Sequence, residues 1–240
     1  MKTTLVQFAP RLNRSNLEYI SSVIEKYSKE SDIIVFPELA LNGYLLQDKL
    51  YEDAFEIEEL SVLETLSKDI DIVVGCAIKD NGVFRNTALY FSDGKLLSKH
   101  YKVHLPNYGM FEEARYFKAG DIFESFISKF GKVSMLVCED LWHKSVHHDL
   151  IEENPDIIIA LVASPARGFG DDGLEIQKKW YDIIKTVASE CESKVIFVNR
   201  VGFEDGLGFW GGSCVLDEKA KILKQLPLHK TDIQTFNINI

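Results

Sequence analysis

The sequence has no cysteine pair at metal or redox spacing, no basic run longer than two residues and no apolar stretch of about 18 residues. Its four cysteines, Cys76, Cys138, Cys191 and Cys214, are spread along 240 residues and none forms a CxxC pair. That spread excludes a disulfide scaffold and gives no sign of a zinc site or a dithiol redox site. Lys and Arg total 27 against 37 Asp and Glu, a net charge of −10. Nucleic acid and anionic membrane surfaces want a basic face, so both are disfavoured as partners. The N-terminal residues lack the apolar run and cleavage site of a signal peptide, and a reducing cytoplasm is the expected compartment. Prolines number only six, and no Pro-, Gly- or Ser-rich linker, repeat or low-complexity run occurs. A single domain over residues 1–240 is expected.

What is present is 46% hydrophobic residues, arranged in short β-branched runs that alternate with helix-period segments. Thr4 to Phe8 and Asp32 to Phe36 read as strands, and Ser15 to Lys29 between them as an amphipathic helix. That helix carries Leu17, Ile20, Val23, Ile24 and Tyr27 on one side. Tyr51 to Lys68 reads as helical. Asp71 to Ile78 and Val83 to Phe91 read as a hairpin closed by Asp80, Asn81 and Gly82, with a second turn at Ser92, Asp93 and Gly94 before Lys95 to Lys99. Val133 to Val137, Ile157 to Val162 and Lys194 to Val198 are apolar strands, and Leu174 to Cys191 is helical. The tail from Ser213 reads as strand, turn and strand. A βαβα order, a meander and a second βαβα order together predict an α/β protein with a mixed sheet or two packed sheets and helices outside.

The apolar strand ending in Cys138, Glu139 and Asp140 places a thiol where a strand gives way to a turn, at the mouth of a crevice. Cys76 lies inside an apolar strand, Cys191 at a helix end and Cys214 at a strand start, and these three read as core. A nucleophilic cysteine needs a base and an electropositive neighbour. Histidine is the usual partner, yet His104, His143, His147 and His148 show no orienting acid at a recognisable spacing. His143 and His147 have the i, i+4 spacing of a zinc helix, but Lys144 stands where hydrolytic chemistry needs glutamate. They read as a solvated helix start. Gly206, Gly208 and Gly211 match GxGxxG, but a strand follows where dinucleotide binding needs a helix, so this segment reads as a loop.

Two further segments stand out: Phe36-Pro37-Glu38-Leu39, where a carboxylate follows a buried strand, and Lys102-Val103-His104-Leu105-Pro106. With Cys138-Glu139-Asp140-Leu141-Trp142 they form the order Glu, Lys, Cys. That set resembles the nitrilase (carbon–nitrogen hydrolase) superfamily, from Leu5 to about Val215. The resemblance implies a four-layer α-β-β-α sandwich, a homodimer or larger oligomer, and no metal or organic cofactor. It implies Glu38 as general base, Lys102 as the central cation and Cys138 as nucleophile. A second glutamate follows the lysine; counting back from Tyr116 and Phe117 favours Glu113 over Glu112.

The run from His104 to Phe117, with Ala163-Ser164-Pro165 and Val198-Asn199-Arg200-Val201-Gly202, looks most like the glutaminase domain of the glutamine-dependent NAD synthetases. By that resemblance Tyr108, Glu139, Trp142 and Ser164 line an amide-substrate pocket, with Glu139 and Tyr108 holding an α-amino group. No Ser-Gly-Gly pyrophosphatase loop occurs, since Gly211, Gly212 and Ser213 run into the strand-like Cys214 to Leu216. A glutaminase-type unit without its ATP-binding synthetase domain is expected. The loop Arg167 to Gly173 is expected to shape the pocket mouth. The implied activity is hydrolysis of a small carboxamide, glutamine or another ω-amide, through a thioester with release of ammonia. Alternatives are an amidase for a carbamoyl amine, a glutaminase active only when docked to a separate synthetase, and a scaffold whose catalysis has lapsed.

Overall fold

Period-two alternation sends each strand's side chains to opposite layers. In the computed structural model, which describes residues 1–171 and 173–239, the first half of the chain builds most of one sheet and the second half another, with the last strand crossing back to the first sheet. Strand β1 (Lys2–Gln7), helix α1 (Asn16–Tyr27) and strand β2 (Ile33–Val35) open the first sheet. After short helices α2 (Leu50–Asp53) and α3 (Ser61–Leu66) come β3 (Asp71–Asp80), β4 (Val83–Ser92) and β5 (Lys95–Tyr101). Helix α4 (Glu113–Tyr116) leads to β6 (Phe126–Ser128), β7 (Gly131–Val137), helix α5 (Lys144–Glu153) and β8 (Ile157–Val162). A short ribbon, β9 (Phe169–Gly170) and β10 (Gly173–Leu174), precedes helix α6 (Glu175–Glu190) and β11 (Lys194–Asn199). The ribbon β12 (Val201–Glu204) and β13 (Leu207–Trp210) is followed by β14 (Cys214–Leu216), β15 (Ile222–Gln225) and β16 (Asp232–Asn237).

The two large sheets run β16-β1-β2-β3-β4-β5 and β15-β14-β11-β8-β7-β6. Each has three neighbouring parallel strands, β1 to β3 in one and β7, β8 and β11 in the other, with antiparallel strands at the flanks. Leu5, Ile33, Val35, Val73 and Tyr90 point inward and share one core with the second sheet. Their neighbours Val6, Ile34, Ile72, Val74 and Leu89 point outward, onto Ile20, Val23 and Ile24 of α1 and Leu63 of α3. Helix α6 covers the far side of the second sheet with Trp180, Ile184 and Val187, at helical spacing. The result is the four-layer α-β-β-α sandwich. No helix among the described residues is long and apolar enough to cross a membrane.

Three local readings are corrected. Tyr51 to Lys68 is not one helix: α2 ends at Asp53, Ala54 is extended, and a 3-10 turn at Ile57–Leu60 precedes α3. The break has a cause in the sheet. Short β2 pairs only with Asp71 to Val73, leaving the upper part of β3 open. Phe55 fills that gap: its N–H donates to Ala77 O at 2.9 Å and its carbonyl accepts from Lys79 N–H at 2.8 Å. The tail forms three strands, because β16 crosses to the first sheet and pairs antiparallel with β1, covering an edge otherwise left open. The segment with Gly206, Gly208 and Gly211 is no loop but the turn and second strand of the β12–β13 ribbon. Of the loop Arg167 to Gly173, Asp172 lies outside the described residues; the rest carries β9 and the start of β10.

Candidate active site

Strand ends bring the chemistry together. Glu38 lies three residues beyond β2, Lys102 directly after β5, Cys138 directly after β7 and Ala163 directly after β8. Strand β5, reversed twice by hairpins, runs the same way as β3, so all four leave C-terminal strand ends. Parallel strands concentrate ligand-facing groups at such ends.

Glu38 is wholly buried, in a tight turn whose next residue, Leu39, has φ 49°. The turn presses on Gly75 of β3: a Cβ there would lie 2.4 Å from Pro37 O and 2.5 Å from Leu39 N. Backbone atoms cannot yield as side chains do, so only glycine fits. A Gly75→Ala chain is expected to lose several kcal/mol of stability, on the order of a core overpacking defect, and to lose activity with Glu38 displaced. A wild-type melting curve for that variant would contradict the packing.

One Glu38 oxygen, Oε1, accepts from Lys102 Nζ at 2.7 Å and Asn86 Nδ2 at 2.8 Å; the other, Oε2, accepts from the Ala163 N–H at 2.8 Å. Lys102 also donates to Glu113 Oε1 at 2.8 Å, and Tyr44 donates its hydroxyl to the same oxygen at 2.6 Å. Lys102 is thus a buried ammonium between two carboxylates. Burial alone would lower its pKa, but Glu113 and Glu38 outweigh that and raise it well above the ordinary lysine value. Glu112, the neighbouring candidate, points to solvent and meets Arg115 at 3.4 Å.

Burial, opposed by Lys102, leaves the Glu113 carboxyl pushed up to about 7. Between pH about 4.5 and 7 the unfolded chain therefore ionises Glu113 while the folded chain keeps the proton. The native state then binds more protons, and stability falls as pH rises through that window. The melting-temperature advantage of wild type over Glu113→Gln should shrink from the acid end up to about pH 7. An advantage that grows with pH in this range would contradict it.

Cys138 has φ 47°, a left-handed conformation uncommon for a residue with a Cβ. It ends β7 and begins a 3-10 turn, Cys138–Trp142. Burial and Glu38 raise its thiol pKa well above the ordinary value while Lys102 pulls it down, so the resting sulfur keeps its proton. The Glu139 N–H lies in the first turn of that segment, where no intrahelical acceptor exists.

Cys138 opens into a cavity of about 330 Å³ that Tyr108, Glu139, Trp142 and Ser164 also line. Tyr108 donates its hydroxyl to Glu139, 3.0 and 2.9 Å from the two oxygens. Burial raises the Glu139 carboxyl above its ordinary value, and the Tyr108 hydrogen bond moderates the rise. Trp142 packs edge-on against Trp180, with ring centres 5.2 Å apart, and Trp180 Nε1 donates to Ser164 Oγ at 2.8 Å. Arg167, Glu175 and Lys179 are exposed charges on the cavity wall.

Among the described residues, no histidine lines the cavity. His147 Nε2 donates to Leu141 O at 2.9 Å, and His143 stacks on His104 with centres 3.6 Å apart, so the two share no ligand position. The sequence reading gave no role to Tyr44, Asn86 and Ala163, which hold the two glutamates, or to the buried pair Arg200 and Glu204, although Ala163 and Arg200 lie in segments that carried the resemblance. Arg200 Nη1 donates to Glu204 Oε2 at 2.8 Å, and Glu204 Oε1 accepts the Tyr44 N–H at 2.8 Å. Glu204 thereby fixes the loop from which Tyr44 reaches Glu113. The nearest signal in the sequence was Arg200 itself, a charge directly after an apolar strand, as Glu38 is a charge shortly after one.

The profile of the carbon–nitrogen hydrolase family matches residues 2–240. The chain belongs to that family. As a carbon–nitrogen hydrolase, it is an enzyme for non-peptide C–N bonds. It is 30% identical to a glutamine-dependent NAD(+) synthetase of Thermotoga maritima over all of its own length and 42% of that protein's. A solved glutamine-dependent NAD+ synthetase of Acinetobacter baumannii superposes with a TM-score of 0.86 at 29% identity, covering 98% of this chain and 44% of the other. The carbon–nitrogen hydrolase thus spans less than half the length of these relatives. A carbon–nitrogen hydrolase of Helicobacter pylori superposes with a TM-score of 0.88 at 24% identity, covering 98% of this chain and 88% of that one. At 24% identity the Helicobacter pylori likeness speaks for the fold alone.

Proposed function

We propose that this carbon–nitrogen hydrolase is a cysteine amidase that removes ammonia from a small ω-carboxamide, with glutamine as the leading substrate. The observation that carries the reading is Lys102, held at 2.7 and 2.8 Å by Glu38 and Glu113, beside a thiol on a left-handed turn. In this reading Glu38 is the base, Cys138 the nucleophile and Lys102 the electrostatic partner, with Glu113 holding Lys102 in place.

As Cys138 Sγ bonds to the amide carbon, its proton passes to Glu38. The carbonyl π electrons move onto oxygen, and the oxyanion meets the Lys102 ammonium and the Glu139 N–H. The tetrahedral species collapses: the C–N bond breaks, Glu38 returns its proton to the nitrogen, and ammonia leaves a thioester. Glu38 then takes a proton from water as the water oxygen attacks the thioester carbon. The C–S bond breaks as Glu38 passes that proton to the departing sulfur, so the thiol and the carboxylate base are both restored and a carboxylic acid is released. These side chains and one water balance every step.

The cavity suits a small molecule, close to the lower end of common ligand pockets. Glu139 with Tyr108 offers a site for an ammonium, and Arg167 at the mouth one for a carboxylate. Together they match the zwitterionic end of an amino acid whose side-chain amide reaches Cys138. A second reading is favoured by the likeness to proteins named glutamine-dependent NAD synthetases: a glutaminase that delivers ammonia to an ATP-dependent synthetase and works fully only when docked to it.

Ammonia release should be measured with L-glutamine, other ω-amides and a carbamoyl amine, using Cys138→Ala as the blank. Release from glutamine that vanishes in the variant is the expected result. Release only from the carbamoyl amine would overturn the substrate assignment. Release that persists in Cys138→Ala would overturn the mechanism.

A further inference from the structure

We propose that Asp140 is a positioning residue that fixes the Cys138 thiol against the Lys102 ammonium, an inference that rests on the amidase reading. Asp140 is completely buried and does not line the substrate cavity. Its two oxygens hold partners from both reacting segments. Oδ1 accepts the N–H groups of Val103 at 3.1 Å and His104 at 2.9 Å, the two residues that follow Lys102. Oδ2 accepts the N–H of Val137 at 3.1 Å, the residue before Cys138, and lies 2.9 Å from Nε2 of His100, two residues before Lys102. One carboxylate therefore joins the chain on both sides of the lysine to the chain leading into the cysteine.

The join has work to do on each side. A cysteine at φ 47° persists only where its surroundings over-determine it. The Val137 N–H to Asp140 bond closes the turn around that conformation. Lys102 has just left β5, where its N–H donates to Asn86 O at 2.8 Å; beyond it, Val103 and His104 follow a path set by Asp140. His100 is itself seated against Phe123, with ring centres 5.3 Å apart. Burial would raise the Asp140 carboxyl, but the hydrogen bonds from His100 and His104 hold it far below the ordinary carboxylate range. It therefore stays an acceptor on both oxygens throughout the working pH range.

Asparagine has nearly the same shape but a single accepting end. Its NH2 would face either Val137 and His100 or the two N–H groups after Lys102, a donor against donors. Asp140→Asn must therefore release one side, and a shift of about 1 Å at a reacting group costs on the order of 10²-fold in rate.

The test is the alkylation of Cys138 by iodoacetamide, followed by peptide mass against pH, in wild type, Asp140→Asn, Lys102→Met and the double variant. The expected result is slowing of about 10- to 100-fold in Asp140→Asn, with little further slowing when it is added to Lys102→Met. Wild-type alkylation in a less stable Asp140→Asn, or effects that multiply in the double variant, would overturn the proposal. If Asp140→Asn does not fold, a milder pair serves: His100→Leu should slow alkylation, and His100→Gln, which keeps a donor, should restore it. Equal rates in those two would overturn it. Alkylation needs no substrate, so absence of ammonia release from every amide tried would count against the amidase reading alone.

Discussion

A Lys102→Met chain is expected to release no measurable ammonia and to melt well below wild type. Two separate losses combine. The first is catalytic: in the proposed mechanism the ammonium is the cation beside the thiol and the donor for the developing oxyanion, and removal of one such donor costs about 10²–10³ in kcat. The second is structural. Methionine matches the length of lysine but leaves Glu38 and Glu113 buried, Glu38 with only Asn86 and Ala163 as donors and Glu113 with only Tyr44. Breaking a buried ion pair by removing one partner costs on the order of 3–5 kcal/mol. Part of that is recovered at low pH, where Glu113 takes up a proton, so the deficit should be smaller at pH 5 than at pH 8. Steady-state ammonia assays and thermal melts at both pH values check this. A variant that retains a tenth of wild-type kcat would contradict the role assigned to Lys102.

Glu38→Gln is expected to fold and bind the amide with near-normal KM while kcat falls by about 10²–10⁴. The substitution keeps the shape and one accepting end. It removes the basic site that, in the proposed mechanism, takes the thiol proton and then the proton of water. It also misplaces one hydrogen bond: with Oε1 kept toward Lys102 and Asn86, the new NH2 faces the Ala163 N–H. An unsatisfied buried donor costs roughly 1–3 kcal/mol, so a modest fall in melting temperature accompanies the loss of rate. A kcat within a few-fold of wild type would assign the base to another group. A rise in KM with kcat unchanged would make Glu38 a binding residue instead.

The sequence carried the main strands and the order of the chemistry because both are local. Alternation along Ile33 to Val35 or Leu89 to Phe91 is a property of neighbouring residues, and the order of such runs led to the expectation of a mixed sheet or two packed sheets. The break at Phe55 was invisible because its cause lies in the short β2, which leaves the upper edge of β3 for Phe55 to occupy. The crossing of β16 to the first sheet was hidden for the same reason, since its partner is β1 at the other end of the chain.

Within the site, Glu38, Lys102 and Cys138 stand in recognisable surroundings, each just beyond a strand. The residues that hold them do not. Tyr44, Asn86 and Ala163 reach the glutamates across sequence separations of 69, 48 and 125 residues, and no local pattern marks a side chain for such a partner. Burial separates Glu112 from Glu113, one exposed beside Arg115 and the other against Lys102, and burial is not a local property of the sequence.

The account stands on a covalent acyl–Cys138 intermediate, and mass analysis of acid-quenched enzyme tests it most directly. With the amide that releases ammonia fastest, the peptide containing Cys138 should carry the acyl group, and hydroxylamine should remove it. The peptides of Cys76, Cys191 and Cys214 should remain unmodified. Ammonia release in Cys138→Ala, or an acyl group on another residue, would contradict the account.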